Sequence, residues 1–354
     1  MASTLDTYRL LGRSGLRVSP LALGTMTFGA DWGWGAHESE ARKLFDTYVE
    51  RGGNFIDTAS NYTGGTSEKL MGEFTRDNRD SLVLATKYSL LRHPTDPNSG
   101  GNHRKNMVAS VEASLRRLNT DYIDLLYLHV WDFRTPVEEI LRAMDDMVRQ
   151  GKVLYVGISD TPAWQVSRMQ AIADLRGWSP LVALQIQYNL VERTPERDLL
   201  PMARELGLGV QLWSPLAYGV LSGKYSRADL DRQAADGADG TRKASVVAGG
   251  LLTERSIAIA DVVKQVAAEM NRSPAQVALA WTLQNPAVTA PVVGARTSDQ
   301  LEDNLGALEV EFDADQLDRL NKVSAIDVGF PHDFLASPDT RRILDGDLTI
   351  EPRR

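Results

Sequence analysis

Four titratable residues, Asp57, Tyr62, Lys87 and His129, stand where a β/α barrel would bring them together. Asn54-Phe55-Ile56 precedes Asp57, the apolar run 82–86 precedes Lys87, and 123–128 precedes His129. Read as successive parallel strands, these runs end three polar groups at one rim, and Tyr62 joins them from the loop after Asp57. Active sites of closed α/β barrels lie at that rim. A phenol beside an ammonium and a carboxylate is a proton donor with an adjusted pKa, because a nearby cation favours the phenolate. Such a group suits protonation of a carbonyl oxygen. Alone, each has a plainer role: Asp57 as a strand-terminal cap, Lys87 as a surface lysine, His129 as a satisfied core histidine. Their joint placement on strands two, three and four favours the chemical reading, as does the need of a buried lysine and aspartate to be paired.

The elements that must hold them are legible as a rhythm. Residues 8–11 and 16–18 flank a Gly12-to-Gly15 turn and read as a short hairpin. Strands are expected at 21–23, 54–56, 82–86, 123–128, 153–158, 181–185, 210–213 and 289–293. Helical periodicity falls at about 38–51, 67–75, 104–118, 136–150, from 162 onward and at 195–206, with Gly52 and Gly151 past two helix ends. Eight strands interleaved with helices make a (β/α)8 TIM barrel the natural architecture. Residues 1–354 then form one domain, with its core at about 8–324 and a C-terminal tail of little periodicity from 325. The stretch 231–250, rich in Ala, Gly and Asp, interrupts the rhythm as a long loop.

Composition removes several alternatives. The 354 residues carry a net charge of −8, without the basic face of a nucleic-acid binder. There is no cysteine, so disulfides, thiolate metal sites and cysteine nucleophiles are excluded. The five histidines are scattered, with no metal-ligand spacing, and no metal is expected. The N-terminus lacks a signal-peptide pattern and no run suits a membrane span, so the expected location is cytoplasmic.

The run 57–68, Asp-Thr-Ala-Ser-Asn-Tyr-Thr-Gly-Gly-Thr-Ser-Glu, followed by Gly72, resembles the first signature of the aldo-keto reductase family. Gly151-Lys152-Val153 with Val156-Gly157-Ile158-Ser159-Asp160 resembles the second. Residues 291–297 with Gln300, Asp303 and Asn304 resemble the C-terminal cofactor motif. The likeness covers about 8–324. It implies an NADP-dependent oxidoreductase acting on carbonyl or alcohol substrates, with NAD as an alternative cofactor. It also implies Tyr62 as general acid, Lys87 and Asp57 as its tuners, and His129 orienting the carbonyl. No GxGxxG fingerprint is present, which argues against a doubly wound reductase. By the same resemblance Ser159, Asp160 and Gln185 meet the nicotinamide carboxamide, and Trp213 stacks on its ring. Ser214, Leu216 and Lys224 follow the pyrophosphate, while Gly294, Arg296, Gln300 and Asn304 hold the adenosine end.

One departure is Asp160, where the family usually has asparagine. A carboxylate accepts from the carboxamide NH2 but cannot donate to its oxygen. It also suits an N-cap for the helix opening near Pro162. Trp32, Trp34 and Trp131, in loops after strands one and four, and Phe330 and Phe334 in the tail, are placed to wall a substrate pocket or to pack as local cores. The partners expected are small molecules and, in some arrangement, further copies of the chain, with no nucleic acid or membrane. Two rival readings remain: a cofactor-binding regulatory subunit resembling potassium-channel β subunits, and a Schiff-base enzyme with Lys87 as nucleophile.

Overall fold

A plug precedes the barrel. The computed structural model describes residues 4–233, 250–346 and 348–350. Its first strands, β1 (Arg9–Leu10) and β2 (Arg17–Val18), pair antiparallel. Leu11 and Val18 are wholly buried against Phe55, Val83 and Leu125, and Arg9 Nη1 donates to Thr289 O at 3.0 Å. The hairpin therefore seals the end of the barrel where the strands begin.

Among the described residues eight parallel strands close on themselves. In chain order they are β3 (Ala22–Gly24), β4 (Phe55–Asp57), β5 (Val83–Tyr88), β6 (Ile123–Leu128), β7 (Val153–Ser159), β8 (Leu181–Gln187), β9 (Gly209–Trp213) and β10 (Val288–Gly294), and β10 pairs back onto β3. Side chains alternate along a strand, so one parity fills a barrel and the other faces its helices. Phe55, Val83, Ala85, Leu125, Tyr127 and Ala183 fill the interior; Ile56, Leu84, Leu126, Ile158, Leu184 and Leu212 pack outward. Asp57, Lys87, Gln185 and Gln211 share the interior parity. Register aligns Lys87 with Tyr127, Ser159 with Gln185, and Gln185 with Gln211. A slip of one residue would turn this whole polar set outward.

The helices are α1 (Glu38–Glu50), α2 (Thr66–Phe74), α3 (Arg104–Leu118), α4 (Val137–Arg149), α5 (Ala163–Arg176) and α6 (Leu199–Leu206), followed by others after β9. In α4, Val137, Ile140, Leu141 and Met144 form the buried stripe of an amphipathic helix. Glu68 of α2 is fully buried; its oxygens accept from Thr86 Oγ1 and Arg117 Nε, each at 2.6 Å. That one carboxylate ties α2 to β5 and to α3.

Three expectations are adjusted. The helix expected at 195–206 is a short 3₁₀ turn, Thr194–Glu196, and then α6, whose first residue is Leu199. The helices Glu254–Glu269 and Pro274–Leu283, capped by Thr253 and Ser273, stand between β9 and β10 in addition to the short Arg227–Gln233. Pro274–Leu283 is apolar on nearly every side, so it leaves no amphipathic period to read. The tail holds the short helices His332–Ala336 and Pro338–Asp345, the second capped by Ser337. The loop expected at 231–250 lies largely outside the described residues; the helix Arg227–Gln233 runs into its start. No helix among the described residues is long and apolar enough to cross a membrane, and among them no cluster of His, Asp or Glu could hold a metal.

Candidate active site

Lys87, 1% exposed near the end of β5, has three ammonium hydrogens and three acceptors. Nζ lies 2.6 Å from Asp57 Oδ1, 2.9 Å from Thr58 O and 3.1 Å from Tyr62 Oη. The Tyr62 oxygen thus accepts from Lys87, and its own hydrogen must point elsewhere. Tyr62 is set by a tight turn in which Thr63, Gly64 and Gly65 are all left-handed, with φ of 47°, 64° and 96°. Gly65 has the largest of these angles, a conformation that glycine adopts without the strain a Cβ would bring. Thr63 Oγ1 donates to Phe28 O at 2.8 Å and anchors the turn to the loop after β3.

Burial is the leading influence on Tyr62, Lys87 and His129 alike. It lifts the Tyr62 phenol above its ordinary value, and Lys87 draws it back only in part. The expectation that the cation governs the phenol is corrected accordingly: desolvation outweighs it. Burial alone would depress the Lys87 ammonium, but Asp57 and Tyr62 more than offset this and raise it. Burial, helped by the Lys87 charge, pushes the His129 imidazole down to about 3, so it is neutral near pH 7. The ring stands edge-on to Tyr62 with centroids 6.1 Å apart. Its Nδ1 is buried with no hydrogen-bond partner among the described residues.

A cavity of about 630 Å³ crosses the barrel mouth above these groups, lined by Asp57, Tyr62 and His129. Ser159, Asp160, Gln185, Trp213, Ser214, Leu216, Lys224, Gly294, Arg296, Gln300 and Asn304 all line it. Asp160 (φ 40°) and Ser214 (φ 50°) are both left-handed, a strain characteristic of functional rims. Asp160 accepts from Trp213 Nε1 at 2.9 Å, while the N-cap position of α5 is Pro162. The capping role for Asp160 is therefore replaced by a brace on the indole. Desolvation raises its carboxyl, against the pull of Trp213 and Lys87.

The aromatic walls divide. Trp32 lines the cavity, and Trp34 stands beside it with ring centroids 5.7 Å apart without lining it. Trp131 is not a wall: at 6% exposure it packs into the apolar core, edge-on to Phe133. Phe330 and Phe334 contact each other in the tail and do not reach the cavity. Asn61, Leu90, Tyr218, Leu279 and Asp303 line it without having been singled out as site residues. Leu279 comes from the all-apolar helix and carried no signal. Gln211, two residues before Trp213, was missed as well, and strand alternation was the one signal that could have placed it inside the barrel.

Residues 20–325 match the aldo/keto reductase family. The chain belongs to that family. This aldo/keto reductase is 38% identical over 348 residues to norsolorinic acid reductase of Aspergillus flavus, covering 95% of this chain and 86% of that protein. It is 38% identical over 333 residues to an NADP(+) aryl-alcohol dehydrogenase of Phanerodontia chrysosporium, covering 90% and 86%. An uncharacterised oxidoreductase of Bacillus subtilis is 39% identical over 328 residues, covering 89% and 95%. Aldo/keto reductases use nicotinamide cofactors, and leftover polar atoms of the cavity suit one. Ser159 Oγ is buried without a well-formed hydrogen bond among the described residues, although close enough to Asp160 to pull its carboxyl down. Both amide hydrogens of Gln185 are committed, to Asp57 and Gln211, which leaves Oε1 as its acceptor. A hydroxyl and an amide oxygen complement a carboxamide.

Proposed function

We propose that this aldo/keto reductase reduces aldehydes or ketones to alcohols with NADPH, with Tyr62 as the general acid. One observation carries the reading. Lys87 directs its third hydrogen to the Tyr62 oxygen at 3.1 Å, which turns the phenol's proton toward whatever oxygen enters the cavity. A bound nicotinamide supplies the hydride, which no side chain can. Tyr62 then gives its proton to the carbonyl oxygen as negative charge develops there, and the adjacent ammonium stabilises the phenolate left behind. Neutral His129 orients that oxygen by hydrogen bonding without a competing charge.

In this reading Ser159, Asp160 and Gln185 hold the carboxamide and Trp213 underlies the ring. Ser214, Leu216 and Lys224 follow the pyrophosphate, and Gly294, Gln300 and Asn304 hold the adenosine. Arg296 pairs with the 2′-phosphate, for which a guanidinium is well shaped. NADP is supported by the relative named for it. Trp32 and Leu90 give the substrate end an apolar face. With a relative named for aryl alcohols, this favours aromatic aldehydes.

The test is single-turnover oxidation of bound NADPH by an aromatic aldehyde, in the parent and in Tyr62→Phe. The variant keeps the ring, so NADPH affinity should survive while the rate falls by roughly 10²–10⁴. Equal rates would overturn the mechanism. A parent that binds NADPH and reduces no carbonyl would favour the regulatory-subunit reading instead.

A further inference from the structure

Beneath the cavity floor runs a chain of two buried amides, Gln185 and Gln211, and the reductase reading leaves the second without a role. Asp57 accepts from Lys87 Nζ through one oxygen and from Gln185 Nε2 through the other, both at 2.6 Å. Gln185 Nε2 also reaches Gln211 Oε1 at 2.6 Å. The two glutamines are paired across β8 and β9 and are 2% and 0% exposed. The direction of each bond is forced. A carboxylate only accepts, so Gln185 must present its NH2 to Asp57. Its second amide hydrogen then needs an acceptor, and Gln211 supplies its oxygen. Gln211 Nε2 is left buried without a partner among the described residues, so Gln211 is held in this orientation at a cost.

We infer that Gln211 is a positioning residue: acting through Gln185, it fixes one amide so that its hydrogens brace Asp57 in the ion pair with Lys87 while its oxygen faces the cofactor's carboxamide amine. This rests on the reductase reading and deepens it, because it makes the proton-donating group and the cofactor floor share one hydrogen-bonded chain. Without Gln211 one of the two bonds pinning the Gln185 amide is gone, and the amide can rotate.

The experiment compares binding of NADP+ with that of its 3-acetylpyridine analogue, in which the carboxamide NH2 is a methyl group. Affinities of the full-length protein are read from tryptophan fluorescence. The parent should prefer NADP+ by about tenfold, the worth of one hydrogen bond, and Gln211→Met should reduce that preference to about threefold or less. If Gln211→Met does not fold, Gln211→Asn, with a shorter amide that leaves the Gln185 hydrogen unmatched, carries the same test. A second arm uses Gln185→Glu. Its carboxyl can donate to Asp57 only while protonated, so turnover should fall as pH rises through its pKa, giving a limb absent from the parent. A merely space-filling glutamine predicts no such limb. Unchanged preference in the Gln211 variants, with no new limb in Gln185→Glu and Tyr62→Phe still inactive, overturns the brace and leaves the reductase reading standing. A parent that reduces no carbonyl overturns that reading, and the binding preferences then decide the brace alone.

Discussion

At the scale of single residues, the proposed mechanism makes two demands, a neutral His129 and a Trp213 indole on which a ring can stack. The folded His129 titrates at about 3, against about 6.5 for an unperturbed imidazole. Above pH 6.5 neither folded nor unfolded chain protonates it, and its contribution to stability is fully present. As pH falls below 6.5 the unfolded chain takes a proton that the fold refuses, so stability is lost progressively down to about 3. Between pH 7 and pH 5 this should remove up to about 2 kcal/mol in the parent and much less in His129→Gln, by urea unfolding at both pH values. Equal losses would place the acid sensitivity elsewhere. Trp213 invites a similar comparison. Trp213→Ala should weaken NADPH binding by about 1 kcal/mol, the worth of a stacked aromatic contact. Trp213→Phe keeps a ring but drops the bond to Asp160, and should fall between the two. Unchanged affinity in Trp213→Ala by titration would remove the stacking role.

At the scale of elements, the motif glycine behind the site acts through packing. Gly72 lies where α2 crosses the end of α3, and a Cβ there would stand 2.6 Å from Arg117 O and from Leu118 C. Both are backbone atoms and cannot turn aside. Gly72→Ala should therefore destabilise by about 1–3 kcal/mol despite its better helix propensity, read as a shift in the urea midpoint. A midpoint at or above the parent's would mean the two helices can part freely. The same contrast explains what the chain made legible. Strands ending in Asp57 and Lys87, or running into His129, announce themselves because apolar runs stop at polar residues, and the barrel follows from their alternation with helices. Amphipathic α4 is equally plain. The helix Pro274–Leu283 was not, since burial on nearly every side erases its period, whereas Glu254–Glu269 keeps a one-sided buried stripe through Ile257, Ala260, Val263 and Ala267. Trp131 misled for a related reason: position along the loop says nothing of which way an indole turns, and the core claimed it. For Asp160 spacing offered a cap beside the cofactor contact, whereas its carboxylate accepts from an indole on β9, a contact no local pattern encodes.

At the scale of the whole molecule, one cavity joins the first strand of the barrel to the last. It is lined by Gly24 of β3, Asp57 of β4 and Gln185 of β8, and continues past β10 to Arg296 and Asn304. A ligand laid along it would touch elements distant in sequence, and its binding free energy should appear as global stability. A ligand at 100 times its Kd stabilises the fold by about 2.7 kcal/mol, and an equal concentration of a weaker one by correspondingly less. If Arg296 meets a 2′-phosphate, NADPH should raise Tm more than NADH does at the same concentration. The charge-assisted contact is worth about 1.5–3 kcal/mol, so the difference should be readily measured. Arg296 is exposed at the end of β10 and its backbone N–H is held by Gln300 Oε1 at 3.0 Å, so Arg296→Ala should leave the apo Tm nearly unchanged. In that variant the extra NADPH stabilisation should collapse to the level given by NADH, while the NADH shift stays as in the parent. A loss shared equally by both cofactors would instead show Arg296 supporting the adenosine or its own loop, and any preference for NADP would have to be sought in another residue of the cavity.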